Sequence, residues 1–398
     1  MKKILLLGGS IQQIPAIEYA NGQNYYTIVC DYLPNNPGQH FAKKYYCIST
    51  TDKEAILEIA IKEKIDGIVA YASDPAAPVA AYVAEKLKLP TNPYLSVEVL
   101  AFKDKFRKYL RDNRFNSPKS ESFYSFEDAL GKLDQFKFPL MVKPIDSSGS
   151  KGVSKIQNKS EFEKAFNLAI NNSRIKKIIL EEFIEKDHPY MIAGDCFVTN
   201  GKVEFLGLLN SHRNKKNNPF VPIGTSYPIV LNLKRLKLIE EEIQRLFKLL
   251  NIKFGAFNME IMIDKNDFLY FIEIGPRNGG NMIPELLKYS TGINMIAATI
   301  ETALGNTFNF ELPNNHECYL STYVIHTNKK GILKSLVYDD KVIKKIFKEV
   351  RYVHDGDEIG IFDGANKALG IIFLKFDSQK EQLEFMENPY KWINVILE

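Results

Sequence analysis

The chain has 398 residues, 45% hydrophobic and 25% charged, with a net charge of +4. That length exceeds one ordinary core and implies roughly two to three domains, and the composition excludes both a disordered chain and a dedicated nucleic-acid binder, which would concentrate far more Lys and Arg. No apolar run reaches the length of a membrane span, and Cys30, Cys47, Cys196 and Cys318 stand without a C-x-x-C spacing, so neither a zinc site nor a disulfide framework is indicated.

The opening "MKKILLLGGS" is basic, but its apolar run stops at Gly8, too soon for a secretory signal, so a cytoplasmic protein with no membrane partner is expected. "KKILLLGGS" reads as a buried strand ending in glycines; a helical segment around "PAIEYA" and a second strand, "YTIVCDYLP", follow. "KEAILEIAIKEKI", "DGIVAYASDP" and "AAPVAAYVAEKL" repeat that alternation, so residues 1–100 form a doubly wound α/β domain. The turn "GGSIQQ" lacks a full G-x-G-x-x-G, which argues against a dinucleotide, and Asp31 at the strand end suits a turn cap.

From about residue 120 the style changes. "FPLMVKPIDSSGSKGVSKI" is strand, Gly/Ser-rich loop, strand, followed by the helix "SEFEKAFNLAI" with Ser160 as its expected N-cap, then the strand "KKIILEEFI". "GDCFVTNGKVEFLGLLNS" is a hairpin turning on Asn200-Gly201, and "LKRLKLIEEEIQRLFKLL" is a helix leading into a second hairpin, "FGAFNMEIMIDKNDFLYFIEIG". The last ninety residues read as β-rich with some helix.

Two groups of residues carry chemistry. On the second hairpin Glu260 and Met262 share a face and the returning strand ends in Glu273; paired carboxylates on adjacent strands are costly unless a cation lies between them, and hard oxygen ligands select Mg2+ or Mn2+. In "FIEIGPRNGG" Glu273, Gly275 and Arg277 point the same way, with a gap at Gly275. Upstream, Lys143 ends an apolar strand before "DSSGSKG", a loop whose free amides form an anion-binding concavity beside a point charge. It is not a Walker loop, because the lysine precedes the glycines.

In sequence, the α/β lead domain, "KDKFRKYL", "VKPIDSSGSKGV", "LEEFIE", "NMEIMI" and "FIEIGPRNGG" resemble the ATP-grasp ligase superfamily, which includes biotin carboxylase, carbamoyl phosphate synthetase and the carboxylate-amine ligases, over residues 1–310. The resemblance implies a multidomain α/β and α+β chain: an N-terminal pre-ATP-grasp domain (1–100), an ATP-grasp domain (101–310, lid about 118–185) and a small β-rich C-terminal domain (311–398). It implies ATP as co-substrate, with Lys105 and Lys143 on the α and β phosphates, Lys103 being the alternative to Lys105. Ser148, Gly149, Ser150 and Gly152 lie in the loop that would close over the β and γ phosphates. Glu181 would accept from the adenine amino group, the backbone of Phe183 and Ile184 would complete that edge, and Glu185 or His188 would hold the ribose. Met262 would floor the adenine, Glu260 and Glu273 would ligate magnesium, and Arg277 would hold the acyl phosphate. The departure is Gly275, where many members carry an asparagine ligand to a second metal; an added asparagine is expected to fit if the glycine is extended.

By the same resemblance Asn278, Gly279 and Gly280 would cup the substrate carboxylate. In the basic loop "NSHRNKKNNPF", His212 and Arg213 are contacts to an acidic acceptor, while Lys215 and Lys216 read as solvated. The implied reaction is attack of a small-molecule carboxylate on the γ-phosphate, then capture of the acyl phosphate by an amine. A bicarbonate-activating carboxylase, an ATP-grasp kinase and a non-catalytic nucleotide binder are the alternatives, and a homodimer is left open.

Overall fold

In the computed structural model, residues 1–213, 218–311 and 318–398 are described. Lys3–Leu7 is an inner strand, paired in parallel with Tyr26–Asp31 on one edge and Gly67–Val69 on the other, and Ile4 to Leu7 are buried. Lys44–Cys47 completes this four-stranded parallel sheet, and its near-continuous apolar runs follow from helices on both faces. One of those helices comes from far downstream: Ile296 and Ile300 of Met295–Ala303 pack against Ile4, Leu6 and Val29. A Cβ on Gly67 would lie 2.5 Å from the Ala303 carbonyl, so glycine there permits the close approach of the two units.

The second sheet is antiparallel, with Ser120–Phe123, Ile178–Glu182, Leu140–Pro144 and Ser154–Ile156 in spatial order. The helices Phe126–Lys132 and Phe162–Asn171 cover it through Phe126, Phe162 and Phe166. Ser160 does not cap the second helix: Asn158 caps the 3-10 turn Lys159–Glu161 that leads into it, its carboxamide accepting from the Ser160 N–H, and Glu161 stands at the helix N-cap.

The third sheet has eight strands. Met191–Thr199 and Lys202–Arg213 form the first hairpin, turning on Asn200 (φ 52°) and Gly201 (φ 80°), and Phe254–Ile263 with Leu269–Gly275 form the second. Helix Leu233–Leu249 packs on this sheet through Ile239, Ile243, Leu246 and Phe247.

The C-terminal residues do more than form a small separate unit. Tyr319–Ile325 pairs with Pro222–Tyr227, and Gly370–Phe376 and Ile346–Arg351 follow, so three late strands extend the central sheet. Without them Pro222–Tyr227 would present an unpaired edge. Glu358–Ile359, Gly331–Tyr338 and Ile393–Leu397 make a three-stranded sheet beside it. No helix among the described residues is long and apolar enough to cross a membrane. Lys215 and Lys216 lie outside the described residues.

Candidate functional site

The lid strand Leu140–Pro144 and its neighbour Ile178–Glu182 converge on one buried ion cluster. Lys143 Nζ donates to Glu181 Oε2 at 2.6 Å, and Arg107 Nε donates to Glu181 Oε1 at 2.8 Å. Arg107, 1% exposed, also donates to the carbonyls of Phe271 and Ile272 at 2.9 and 2.8 Å, so it fastens the lid to the second hairpin. Burial alone would raise the Glu181 carboxyl, but Arg107 and Lys143 outweigh it and hold it at about 2. Both Glu181 oxygens are thus engaged within the protein, which differs from the adenine contact expected of its side chain. Phe183 gives its N–H to the Pro139 carbonyl at 3.0 Å, and Phe183 and Ile184 line the cleft. Lys155 Nζ sits 3.5 Å from the Phe183 ring centroid.

The phosphate-type loop is anchored at its base by Asp146, a buried carboxylate that accepts from Ser173 Oγ at 2.8 Å and from the Arg174 N–H. Gly149, Ser150 and Gly152 all have positive φ, the left-handed conformation of a tight turn. Ser147 and Ser150 line the cleft, whereas Ser148, Gly149 and Gly152 shape the loop behind it. Ser150 Oγ donates to the Phe220 carbonyl at 2.8 Å.

Lys103, not Lys105, stands in the cleft. Its Nζ donates to the Ser147 carbonyl at 2.8 Å and lies 3.5 Å from Glu273, whereas Lys105 points outward, 46% exposed, and pairs with Glu98. On helix Lys103–Asp112 the buried face carries Phe106, Arg107 and Leu110, which turns position 105 to solvent.

Glu260 and Glu273 face each other directly on the paired strands of the second hairpin. Arg213 Nη2 donates to Glu260 at 2.7 Å, so each carboxylate has one cation on its outer side, Arg213 for Glu260 and Lys103 for Glu273. Among the described residues no group of three or more His, Cys, Asp or Glu could hold a metal by itself. Two opposed carboxylates in an open cleft fit magnesium, which keeps waters and takes substrate phosphate oxygens as its remaining ligands. Met262 lines the same cleft together with Ile272 and Met141. The whole cleft measures about 1020 Å3.

Arg277 lies outside this cleft's wall. Its Nη2 donates to Asp74 Oδ2 at 2.5 Å and its Nη1 to the Asn278 carbonyl at 2.9 Å, at the junction with the N-terminal domain. Asp74, Gly275 and Glu273 border a second cavity of about 310 Å3 that shares Ser147 and Glu273 with the main cleft. The ion pair fills the gap expected at Gly275: that residue has no positive φ, as expected, yet a Cβ there would meet Asp74 Oδ1 at 2.5 Å and Arg277 Cζ at 3.1 Å. An asparagine therefore does not fit without displacing Asp74.

The residues expected to cup a carboxylate turn inward instead. Asn278 is fully buried and accepts from Thr299 Oγ1 at 2.9 Å, the Gly279 N–H is donated to Asp195 Oδ2 at 2.8 Å, and Gly280 abuts Gln12. His188 is a structural residue, correcting the ribose role: its Nε2 accepts from the Ile263 N–H at 3.2 Å and its Nδ1 meets the Tyr190 carbonyl, while burial lowers it to about 4. His212 lines the cleft beside Arg213, with Nε2 2.9 Å from Ser226 Oγ. Arg107, Asp146 and Asp74 were not singled out from the sequence. Arg107 had one signal, its place three residues before Leu110 on an apolar helix face; the other two pair with residues distant in the chain.

A family model described as an ATP-grasp domain matches residues 136–285. The chain is 28% identical over 309 residues to a formate-dependent phosphoribosylglycinamide formyltransferase of Prochlorococcus marinus, covering 76% of this chain and 77% of that one. It is 26% identical over 261 residues to the carbamoyl phosphate synthase large chain of Thermoanaerobacter pseudethanolicus, 63% of this chain but 23% of that much longer protein. Among solved structures, an L-amino acid ligase from Bacillus licheniformis superposes with a TM-score of 0.83 at 22% identity, covering 100% of this chain and 99% of that one.

Proposed function

We propose that the chain, whose residues 136–285 match the ATP-grasp domain model, is an ATP- and magnesium-dependent ligase joining a small-molecule carboxylate to an amine. The observation that carries this reading is the register that sets Glu260 opposite Glu273, flanked by Arg213 and Lys103, in one cleft with Lys143 and Met262.

In this reading Met262, Ile272 and the hinge at Phe183 and Ile184 hold the adenine, and Lys143 and Lys103 hold phosphate oxygens, with Glu181 fixing Lys143 from behind. Glu260 and Glu273 would hold the metal, which would supply positive charge against the phosphates. The substrate carboxylate oxygen bonds to the γ-phosphorus as the bond to the ADP oxygen breaks. The amine nitrogen then bonds to the acyl carbon, phosphate leaves with the electron pair, and the nitrogen's proton passes to it. Arg277, beside Glu273, serves as the reserve of positive charge on the N-terminal side; burial opposes its charge, but Asp74 and Glu273 hold its pKa above the usual value.

Incubation with ATP, Mg2+, pooled carboxylic acids and hydroxylamine tests this, since hydroxylamine converts an acyl phosphate to a hydroxamate whose iron(III) complex is coloured. Acid-stimulated hydroxamate with equal ADP and phosphate is the expected result. ADP formed without phosphate, or turnover that needs bicarbonate, overturns it.

A further inference from the structure

The cleft is larger than a nucleotide requires. At about 1020 Å3 it stands at the top of the ~300–1,000 Å3 range of small-molecule sites. The hinge, Met262 and the phosphate loop wall only one part of it. Another part is walled by the C-terminal residues: Tyr323 on strand Tyr319–Ile325, Met386 on helix Gln379–Glu387, and Ile393 and Val395 on the final strand, faced by Phe220 and Ile223.

Resting on the ligase reading, we propose that this second compartment receives the body of the acid substrate. The acid is apolar, of aromatic or medium-chain size, and its carboxylate is directed to the seam at Arg213 and Glu260. Three observations lead there. The compartment is continuous with the reacting end, because Arg213 donates both to Glu260 at 2.7 Å and to the Phe220 carbonyl at 2.7 Å, so the cation that flanks the carboxylate pair also stands at the compartment's mouth. The wall is fixed by the sheet: Gly224 pairs with Tyr323, and a Cβ on Gly224 would meet the Thr322 carbonyl at 2.2 Å and Met386 Cε at 2.7 Å, so Met386 lies flat against the strands. The six wall residues present mainly carbon to the cleft, with Lys329 and Glu387 also among its lining, and the neighbouring His326 is lowered by burial and therefore neutral near pH 7. A second charged group placed against Ile223, Met386 and Ile393 would lose hydration there.

The hydroxamate assay with acetate, butanoate, hexanoate, 3-phenylpropanoate and succinate reads this out, in parallel with calorimetric binding of each acid to the protein saturated with a non-hydrolysable ATP analogue and Mg2+. The acid KM and Kd should fall about fourfold for each methylene that enters the compartment, with succinate at least tenfold weaker than butanoate. Val395→Asp and Phe220→Ala, both at partly exposed positions, should flatten the dependence on chain length. Hydroxamate formed with a KM indifferent to chain length, or a length dependence that appears with alkylamines instead of acids, overturns the compartment while leaving the ligase reading intact. No hydroxamate from any acid, with chain-length-dependent binding retained, overturns the ligase reading and supports the compartment; loss of both removes both.

Discussion

Two buried carboxylates, Glu181 and Glu285, meet the same physical problem in opposite ways. Glu181, at the base of the lid, is 2% exposed and has a cation on each oxygen, which holds it at about 2. Glu285, in the first turn of helix Ile283–Thr291, is 5% exposed and neither oxygen has a hydrogen-bond partner among the described residues. Burial raises it to about 7, with Asp195 adding to the rise and Lys348 and Lys288 opposing it. Burial likewise lifts Asp195 to about 6, although the Gly279 N–H and Asn258 work against the shift. The lid base keeps its charge by pairing; the junction sheds charge by taking up protons. The difference teaches where the molecule can tolerate pH and where it cannot tolerate mutation.

Removing Arg107 should break the first region most severely. Arg107→Met leaves half of a buried charge network uncompensated, and a loss of about 3–5 kcal/mol is expected, read as a large fall in melting temperature together with weakened ATP binding. Unchanged melting would mean that Lys143 alone suffices for Glu181. Glu273→Gln probes the exposed counterpart of these carboxylates: metal-dependent nucleotide cleavage should drop by about 10²-fold or more, with little change in melting, because a half-exposed ligand contributes charge to the reaction and not packing. Cleavage that persists in excess chelator is the result that sinks this.

At the junction the sign of the pH effect is fixed by the raised values. Glu285 binds its proton more tightly folded than unfolded, so its contribution is fully present below about 4.5 and is lost as pH rises through about 7. Glu285→Gln should therefore raise stability by on the order of 2 kcal/mol at pH 8 relative to the parent protein and by little at pH 4.5. Glu181 predicts the reverse, stability present above about 4.5 and lost as pH falls through about 2. Melting curves across pH 2 to 9 separate the two. Gly275→Asn, which crowds Asp74 against Arg277, should cost about 1–3 kcal/mol and raise the metal requirement rather than lower it; a tighter magnesium titration would contradict that. Lys105→Ala should change ATP affinity by less than about twofold, since an exposed pair with Glu98 contributes about 0–1 kcal/mol, while Lys103→Ala should weaken it about tenfold. Nucleotide titration of both variants decides the assignment.

Local signals in the sequence carried most of the fold. Alternating strand and helix patterns marked the parallel sheet, and Asn200-Gly201 marked a hairpin, because each depends on neighbours in the chain. The Glu260 and Glu273 pair was also readable, since one hairpin sets its register. What escaped was set by distant contacts. Nothing local says that Lys103 rather than Lys105 faces the cleft until Phe106 and Leu110 fix the helix's rotation, and nothing in "GPRNGG" reveals that Asp74, 201 residues before Gly275, fills the gap. Asn278 and Gly279 look like an open amide cup in sequence; the partners that close them, Thr299 and Asp195, come from other elements. The late strands were seen as β-rich, but their hydrogen bonding to Pro222–Tyr227 could not be read from their own residues.

That last pairing has a consequence for how the chain is made. Tyr227 lies opposite Leu320, so during synthesis the strand Pro222–Tyr227 has no partner on its outer side until more than ninety further residues have emerged. The N-terminal sheet and the lid sheet, whose strands are all made by then, can close beforehand, whereas the central sheet keeps a raw edge. The sheet is then extended by Gly370–Phe376 and Ile346–Arg351, so the nascent protein is exposed to edge-to-edge association until Phe376 has left the ribosome. A shortened chain ending near residue 310 would carry that exposed edge permanently and is expected to aggregate rather than behave as an independent nucleotide-binding unit.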